Sequence, residues 1–573
     1  MTAEGPLGVA SAAGEEQVEL YVRTYRSLLR SSGEIRLQAL ERAHLGMESS
    51  LHPLGAAPEL DSGALLYSLH RLPPVVLELE HVYLGQSPEL LRRQQGSAPA
   101  DWLPVVAPGR RRRWWWNPEL RTLAVALASS SDLDDLVPTL VAMQLEWNKA
   151  HALLHDRIEG GAESLDASVR GRLGISEDDW IRLSSVFGPR LPDFVAEIIR
   201  RPMDLGIRLL GGSQVGYARA TREWWRPLGD VLRQEKLIDR PLYFVSSNAH
   251  CLVNLLSGVA RERAGQVEDW VAEAGDPELR AIADELSNTG SRLSRENFLY
   301  YAARRWFGAH PEELQRRAQE ERGEGIFHIP SQSGTDVAAQ LIVLDRLQSA
   351  RLDPRLRSAT AAKALSGSPH LVLNIQYPLG QGAYHILRQV MEATDRLDGV
   401  YILGKAATLN ADVGDVLVSD VVHDEQSGNT YWLNNCFSFA TLSPFVTSRS
   451  VLDRQRAVSV RSTFLQNRGY LERYYRDAYT VVEMEAGPYL GAVFEAGDSS
   501  RYPDREQVDL TRPAMEVGVI HYASDTPYTQ ARTLGARGLH FEGMEATYAG
   551  ALAIAARILE REGGAALTPG MIG

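Results

Sequence analysis

The stretch Val482-Glu483-Met484-Glu485-Ala486 places two carboxylates at a junction between an apolar, strand-like run and a helical pattern. Side chains two positions apart in a strand share a face, so strand periodicity alone would put Glu483 and Glu485 on the same side. A helix that begins at this point would instead turn Glu485 alone toward a cleft. Carboxylates also favour helix N-termini, so capping is the structural alternative for both acids.

A second junction of this kind lies later in the chain. The apolar run Val519-Ile520-His521-Tyr522-Ala523 ends in Ser524 and Asp525, just before Thr526-Pro527. A Ser-Asp pair at the end of a strand can close a turn or cap a helix, and it can also face a ligand. The residues alone leave both interpretations open.

Apolar runs followed by small or polar residues and then by a helical pattern occur three times after residue 240. Strand, loop and helix in that order form the unit of a parallel α/β sheet, whose ligands gather outside the carboxyl ends of the strands. The loops are therefore candidate walls of a pocket. The three runs are 242–245, 326–329 and 371–375; further strands are predicted at 399–403, 415–422, 478–483 and 515–523, and a long helix at 541–562.

Helical spacing of apolar residues dominates the first 235 residues. We predict a disordered tail over 1–16, a mostly helical N-terminal region over 17–325 with an α/β transitional segment from about residue 240, and an α/β domain over 326–573. Helices are predicted near 35–46, 119–129, 134–156, 190–200, 217–235, 276–287 and 294–308.

Composition excludes several classes of protein. A chain of 573 residues with 44% apolar and 23% charged residues is typical of a globular protein with at least two domains. A net charge of -13 argues against polymeric nucleic acid as a partner, because such binding needs many cations to replace phosphate counterions. The first seventeen residues carry no Arg or Lys and no long apolar core, and no later apolar stretch reaches eighteen residues, so neither export nor a membrane span is predicted. No membrane association is predicted.

Cysteine and histidine patterns give little support for metal or redox cofactors. Cys251 and Cys436 are too far apart for a disulfide framework or a four-ligand zinc site, and we expect a reducing cytoplasm. His151 and His155 have the spacing of two metal ligands on a helix, but Ala152 stands where the zinc-protease motif has Glu. Two surface histidines are the preferred interpretation, and no metal or other cofactor is predicted.

Two further segments could contribute to a pocket. Gly404-Lys405-Ala406-Ala407-Thr408 follows a predicted strand, and Gly with small residues such as Ala406 lets backbone N–H groups approach a ligand. Lys405 adds a cation at the same turn. Ser462-Thr463-Phe464-Leu465-Gln466 places an aromatic ring among polar residues, although most such phenylalanines belong to the core.

A basic and aromatic run stands out in the N-terminal region. Arg110-Arg111-Arg112-Arg113 leads directly into Trp114-Trp115-Trp116. Such a run could stack against a nucleotide or a single strand and neutralise it. The acidic balance of the chain favours the alternative, a helix entry whose tryptophans anchor a contact between domains while the arginines pair with carboxylates.

The order of these segments resembles that of the nucleoside phosphorylase and nucleosidase superfamily, in particular the methylthioadenosine nucleosidase and AMP nucleosidase branches. From Leu373 to Glu562 the chain has a strand with a Gly-containing loop (LNIQYPLGQGAY), a second strand with a small-residue turn (GVYILGKAATLNADVGDVLVSDVV), STFLQ, VEMEA, and ASD before a final helix. VEMEA and ASD are the most specific elements. The resemblance covers only the last third to two-fifths of the chain and implies a nucleoside-phosphorylase-like three-layer α/β domain.

The resemblance also implies roles for particular residues. Asp525, when protonated, would donate to purine N7 and relieve the charge on the departing base, and Ser524 would orient it. Glu485 would accept hydrogen bonds from the ribose hydroxyls, and Met484 would pack against the sugar. Phe464 would stack on the purine. Lys405 and Ala406 complete the implied substrate-binding set.

Lys405 is a departure from the family pattern, which has Ser or Thr, a small residue and two glycines at this turn. A lysine could hold a substrate phosphate or inorganic phosphate, or it could pair with an acid and block the site. The leading function is therefore a hydrolytic purine nucleosidase acting on a nucleoside or nucleotide. The alternatives are a phosphorylase with inorganic phosphate as co-substrate, and a non-catalytic nucleotide sensor or scaffold. The family also implies a homo-oligomer.

Overall fold

Two β-sheets organise the computed structural model of the protein, which describes residues 6–31, 33–86, 102–109, 111–155, 165–273, 277–289, 292–331, 333–498, 500–525 and 542–564. The first sheet has the strand order β1-β6-β2-β5-β4-β3. Strands β6, β2 and β5 are parallel, and the outer strands are antiparallel. The strands are β1 (Ile35–Arg36), β2 (His81–Gly85), β3 (Leu103–Val105), β4 (Trp114–Asn117), β5 (Thr122–Ala126) and β6 (Gly206–Leu209).

This first sheet was not predicted, and two of its strands correct the sequence analysis. Residues 119–129 were predicted to be a helix, but they contain β5, whose five residues are all buried. A short run without alternation cannot be told from a buried helix by periodicity. The tryptophans of the basic run form β4, so the predicted helix entry is wrong at this point.

The N-terminal region is nevertheless mostly helical, as predicted. The predicted tail differs from the structure over 6–16, where helix α1 begins; its alanines are strong helix formers. Residues 1–5 lie outside the described residues. The helices before β7 are α1 (Pro6–Ser31), α2 (Gln38–Gly46), α3 (Ser62–His70), α4 (Ser130–Leu154), α5 (Leu165–Leu173), α6 (Glu177–Phe187), α7 (Leu191–Arg200) and α8 (Gln214–Gln234), with 3₁₀ turns at Pro74–Glu78 and Gly188–Arg190.

The second sheet has the strand order β16-β13-β12-β14-β15-β11-β7-β10-β9-β8, and β17 pairs with both β11 and β12. Its centre is parallel: β10, β7, β11 and β17 run in the same direction. Its strands are β7 (Leu242–Ser247), β8 (Ile326–Ile329), β9 (Ala339–Val343), β10 (Leu371–Gln376), β11 (Leu397–Thr408), β12 (Val416–Asp424), β13 (Thr430–Leu433), β14 (Val451–Ser459), β15 (Val481–Glu483), β16 (Gln507–Leu510) and β17 (Glu516–Asp525).

One of the three expected strand, loop and helix units differs in the second sheet. The loop after β8 leads into β9 rather than into a helix, and the two strands pair antiparallel. All residues of β9 are buried, so again no alternation marks the strand. Strand β7, from before residue 325, lies between β10 and β11. The domain boundary at residue 325 stays a prediction, but this sheet takes a central strand from the preceding segment.

Helices cover both faces of the second sheet and make the three-layer α/β arrangement. Successive residues of β7 alternate between two cores: Tyr243 packs with α9, α13 and α20, and Phe244 packs with α8, α16 and α19. The helices after β7 are α9 (Cys251–Ser257), α10 (Val259–Glu262), α11 (Ala264–Glu273), α12 (Pro277–Thr289), α13 (Arg292–Ala309), α14 (Pro311–Gly323), α15 (Ala359–Gly367), α16 (Gly382–Ala393), α17 (Phe439–Leu442), α18 (Arg468–Arg476), α19 (Ala486–Gly497) and α20 (Glu542–Gly563), with 3₁₀ turns at Leu344–Arg346, Ser349–Arg351, Pro354–Leu356 and Ser443–Phe445.

A largely buried ion network links the final helix to the amino-terminal edge of the second sheet. His370, just before β10, lies 3.0 Å from a Glu562 carboxylate oxygen through Nδ1 and 2.7 Å from an Asp398 oxygen through Nε2. Burial opposes the charged imidazole, but these two carboxylates outweigh it and raise the pKa of His370. Among the helices that the structure describes, none combines the length and apolarity needed to cross a membrane.

Candidate functional site

A cavity of about 470 Å³ lies between the two regions, at the carboxyl ends of β5 in the first sheet and of β10, β11 and β15 in the second. Its volume falls within the range of small-molecule sites. This is also the edge at which ligands gather in open α/β sheets.

Five of the residues singled out from the sequence line this one cavity: Lys405, Ala406, Met484, Glu485 and Ser524. The parallel pairing of β11 with β17 explains how distant segments meet, because Ala406 is opposite Ala523 in the ladder. The Ser524 hydroxyl donates to the carbonyl oxygen of Ala406 over 3.2 Å. The two strand ends are thereby joined at the wall of the cavity.

Asp525 is the last residue of β17 and pairs with Ala407 of β11. Its backbone therefore lies at the same sheet edge as the cavity-lining turn. The Asp525 side chain lies outside the described residues, so its role as a proton donor stays a prediction.

Glu485 occupies the N-cap position of α19, at the cavity wall. Its Oε1 accepts the backbone N–H of Gly380 over 3.3 Å. Gly380 has a φ of 50°, and a Cβ there would approach Ser131 Oγ to 2.3 Å, so this turn requires glycine. The contact holds the loop after β10 against both the carboxylate and helix α4.

Glu483 has the capping role that the sequence analysis weighed for both acids. Its buried Oε2 accepts the backbone N–H groups of Glu485 and Ala486 over 2.6 and 2.7 Å, and Ser459 Oγ bonds to its Oε1. Burial, and then the charge of Glu485, raise the pKa of Glu483 to about 8. The raised pKa favours the neutral form of Glu483, which caps the start of α19 behind Glu485.

Phe464 is not among the cavity-lining residues, contrary to its predicted role as a purine-stacking ring. Its side chain is 1% exposed and packs with Leu51, Tyr67 and Ala142 of the first region. The loop that carries Phe464 crosses to that region, where Leu465 also enters the core. The core alternative therefore holds for Phe464, although its neighbours Thr463 and Gln466 do line the cavity.

Two cationic side chains line the cavity where helix α3 ends beside the turn of β11. Arg71 and Lys405 both line the cavity. Burial, followed by the charges of Arg71 and Lys405, lowers the pKa of His70. Cations close enough to disfavour a protonated histidine form an environment that suits an anionic group of a ligand, such as a phosphate.

The first region supplies much of the remaining wall, which sequence reasoning missed apart from the basic run. Gly334 and Tyr377 lie in the loops after β8 and β10, which were predicted to be pocket walls. Arg112 forms a buried ion pair with Asp132 at 2.7 Å and another with Asp135 at 2.8 Å. Arg111 donates to the carbonyl oxygen of Tyr377 in the loop after β10 over 2.7 Å. The predicted pairing of arginines with carboxylates is thus present at Arg112, just before β4. The contact between regions was predicted for the tryptophans, but Arg111 makes it, and Trp114 and Trp116 are buried in the core of the first region.

Cys251 and His250 lie near each other but are unsuited to nucleophilic catalysis. Burial raises the pKa of the Cys251 thiol to about 12, and burial with nearby arginines lowers the pKa of His250 to about 3. His151 and His155 stack with ring centroids 4.9 Å apart. Across the described ranges, no group of three or more His, Cys, Asp or Glu side chains could hold a metal ion.

A family model described as "Family of unknown function (DUF6909)" matches residues 37–560. No curated protein matches the chain.

Among solved structures, a putative methylthioadenosine nucleosidase from Weissella paramesenteroides is 16% identical with a TM-score of 0.25, covering 34% of this chain and 82% of that chain. A 5′-methylthioadenosine/S-adenosylhomocysteine nucleosidase from S. pneumoniae is 15% identical with a TM-score of 0.27, covering 44% and 95%. A purine nucleoside phosphorylase from Toxoplasma gondii, in complex with immucillin-H, is 13% identical with a TM-score of 0.27, covering 44% and 89%. Scores this low carry no argument about activity.

Proposed function

We propose that this chain, which belongs to the DUF6909 family of unknown function, binds a purine nucleoside or nucleotide in the cavity and hydrolyses its N-glycosidic bond. One observation carries the proposal: Lys405, Ala406, Met484, Glu485 and Ser524, substrate-site residues implied by the resemblance in three separate segments, line a single cavity of suitable size.

The reaction needs stabilisation at two places. Cleavage leaves the ribose with oxocarbenium character and pushes electrons into the departing base. Glu485 would accept hydrogen bonds from ribose hydroxyls, a contact that strengthens as the sugar becomes positive. Asp525 would protonate the base, with Ser524 as its neighbour in β17. Met484 would pack against the sugar, beside Glu485.

The cationic side of the cavity supports a phosphate-bearing substrate. Arg71 and Lys405 bring two positive charges to the wall where the pKa of His70 is lowered. The 5′-phosphate of a nucleotide would be attracted to these two cations. The same feature favours a second candidate function, phosphorolysis, in which inorganic phosphate occupies this place and attacks the sugar.

A screen for release of the free base tests the proposal. The substrates are adenosine, methylthioadenosine, AMP, inosine and guanosine, each with and without inorganic phosphate. We expect base release without added phosphate, fastest with AMP. Turnover that requires phosphate and yields ribose 1-phosphate would establish phosphorolysis instead.

The matched variants are Asp525→Asn and, as a control, Asp477→Asn at an exposed position. Loss of a general acid typically lowers the rate by roughly a hundredfold or more, so Asp525→Asn should lose most turnover but retain binding. Binding of a nucleotide without base release by the unsubstituted chain would favour the sensor function. Equal turnover in both variants would remove Asp525 from the mechanism.

A further inference from the structure

Three residues in one part of the cavity wall carry oxygen atoms that are shielded from water and have no hydrogen-bond partner within the described part of the chain. They are Ser50 Oγ, Tyr67 Oη and Gln466 Oε1. An unsatisfied buried polar atom costs roughly 1–3 kcal/mol, and native proteins contain few of them. Three along one cavity wall suggest that a ligand supplies their partners.

Backbone contacts hold these residues together across the two regions. The N–H of Ser50 donates to the carbonyl oxygen of Gln466 over 2.7 Å, and Ser49 forms an isolated β-bridge with Asn467. The ring of Tyr67 meets that of Phe464 edge-on, with centroids 5.1 Å apart. The loop 462–467 therefore brings Gln466 to Ser50 and Tyr67 by anchoring itself in the first region.

Tyr67 is fixed before any ligand arrives. Its side chain is 2% exposed, Phe464 packs against it, and the guanidinium carbon of Arg71 lies 3.3 Å from its ring centroid. A ring held between a cation and an aromatic edge keeps its hydroxyl in one place. Because the hydroxyl is already held in place, little conformational entropy is lost when it binds a ligand.

The amide of Gln466 is also held in one orientation. Its Nε2 donates to Glu425 Oε2 over 3.3 Å and to the carbonyl oxygen of Ser462 over 3.4 Å. Glu425 Oε1 also accepts a hydrogen bond from the Tyr474 hydroxyl over 2.5 Å, so both oxygens of this carboxylate act as acceptors. The amide nitrogen therefore faces Glu425, and Oε1 remains as an acceptor.

We infer that Ser50, Tyr67 and Gln466 form a recess that binds the N–H edge of an amino-substituted heterocycle. The Gln466 oxygen can accept one N–H of an amino group, and one of the two hydroxyls can accept the other N–H while the second donates to the neighbouring ring nitrogen. The inference rests on the proposed function only in taking the ligand to be a base or its nucleoside, and it requires no bond cleavage.

Calorimetry on the full chain with adenine and purine tests the recess, because these two bases differ only by the 6-amino group. The test variant is Tyr67→Phe combined with Ser50→Ala. The control is Tyr217→Phe combined with Ser419→Ala, since Tyr217 and Ser419 also carry buried oxygens without partners within the described residues but do not line the cavity.

We expect the unsubstituted chain and the control to bind adenine roughly tenfold more tightly than purine, as one or two hydrogen bonds would give. The Tyr67→Phe/Ser50→Ala chain should keep at most roughly a threefold preference, because only the Gln466 acceptor remains, while staying as stable as the control. Three outcomes would each refute the proposed base-binding recess: equal affinity for the two bases, no binding of either base, or an unchanged preference in the test variant. Water would then be its occupant.

The two proposals fail in distinguishable ways. If the chain prefers adenine through Tyr67 and Ser50 but releases no base from any nucleoside, the recess is supported and the nucleosidase activity is refuted. If the chain cleaves nucleosides equally well with and without these hydroxyls, the nucleosidase activity is supported and the recess is refuted.

Discussion

The two walls of the cavity are built differently. The second sheet contributes the ends of β11, β15 and β17, where each side chain is placed by ladder hydrogen bonds and by the start of a helix. The first region contributes side chains from α3 and from loops, and these are placed by ion pairs and ring contacts that cross between the regions. The difference suggests that the two walls have separate roles. The strand ends would hold the reacting groups, and the first region would recognise the rest of the ligand.

The largest effect is expected from removing the ring that anchors the two walls to each other. Phe464→Ala should lower the free energy of unfolding by about 3–5 kcal/mol, because it empties a fully buried position. Urea unfolding measures the loss, and Phe464→Leu should cost much less. A Phe464→Ala chain of undiminished stability that binds ligand weakly would show that the ring serves the ligand rather than the core.

The next effect tests the strand-end wall. Glu485→Gln removes the charge proposed to bind the ribose, so base release should fall roughly tenfold to a hundredfold, as for loss of a hydrogen bond to a charged group. Steady-state kinetics with the best substrate of the screen measures this. Glu312→Gln, at an exposed position of α14, is the control. Equal rates in the two variants would separate Glu485 from catalysis.

A pH profile tests how the strand-end wall is supported. The pKa of Glu483 is raised to about 8 in the folded chain, so its neutral form is favoured there. The stabilisation is present below the unfolded pKa, near 4.5, and is lost as the pH rises through the folded value. Between pH 5 and 8 the unsubstituted chain should lose on the order of 1–3 kcal/mol from this group.

Glu483→Gln imitates the neutral acid and should remove most of that slope while leaving Ala486 capped. Urea unfolding at several pH values gives the comparison. Parallel profiles for the two chains would mean that Glu483 is charged in the fold.

The smallest effect lies at the edge of the sheet away from the cavity. The pKa of His370 is raised, so its stabilisation is present below the unfolded pKa of about 6.5 and is lost as the pH rises through the folded value. His370 is largely buried and bonded to two carboxylates, so His370→Gln should cost on the order of 1 kcal/mol at pH 6 and less at pH 9. Thermal unfolding at both pH values measures this, and base release should be unchanged. A variant that lost activity would connect this edge to the site.

The strand-end wall could be predicted because its residues stand at the ends of short apolar runs, and the carboxyl ends of the parallel strands β11 and β17 meet at one edge of the sheet. Strand β15 pairs antiparallel with β11, so only its junction with a helix marked Met484 and Glu485. Lys405, Met484, Glu485 and Ser524 each stand at such an end. The separate roles of Glu483 and Glu485 could not be predicted, because they depend on where α19 begins. Local periodicity allowed both a shared face and a cap.

The other wall could not be predicted, because it depends on contacts between residues about four hundred positions apart. Nothing near Ser50 indicates that it meets Gln466, and nothing near Phe464 indicates that its ring enters the core of the first region. The strands of the first sheet were missed for a local reason, since short and fully buried runs show no alternation.

The position of β7 has a consequence for how the chain is made. This strand leaves the ribosome more than a hundred residues before β10 and β11, the two strands that flank it. While α9 to α14 are being synthesised, both of its edges lack their native partners, and strands in that state are prone to aggregate. We expect newly made chains to depend on the helices that follow β7, or on a chaperone, to cover its edges until translation has passed β11.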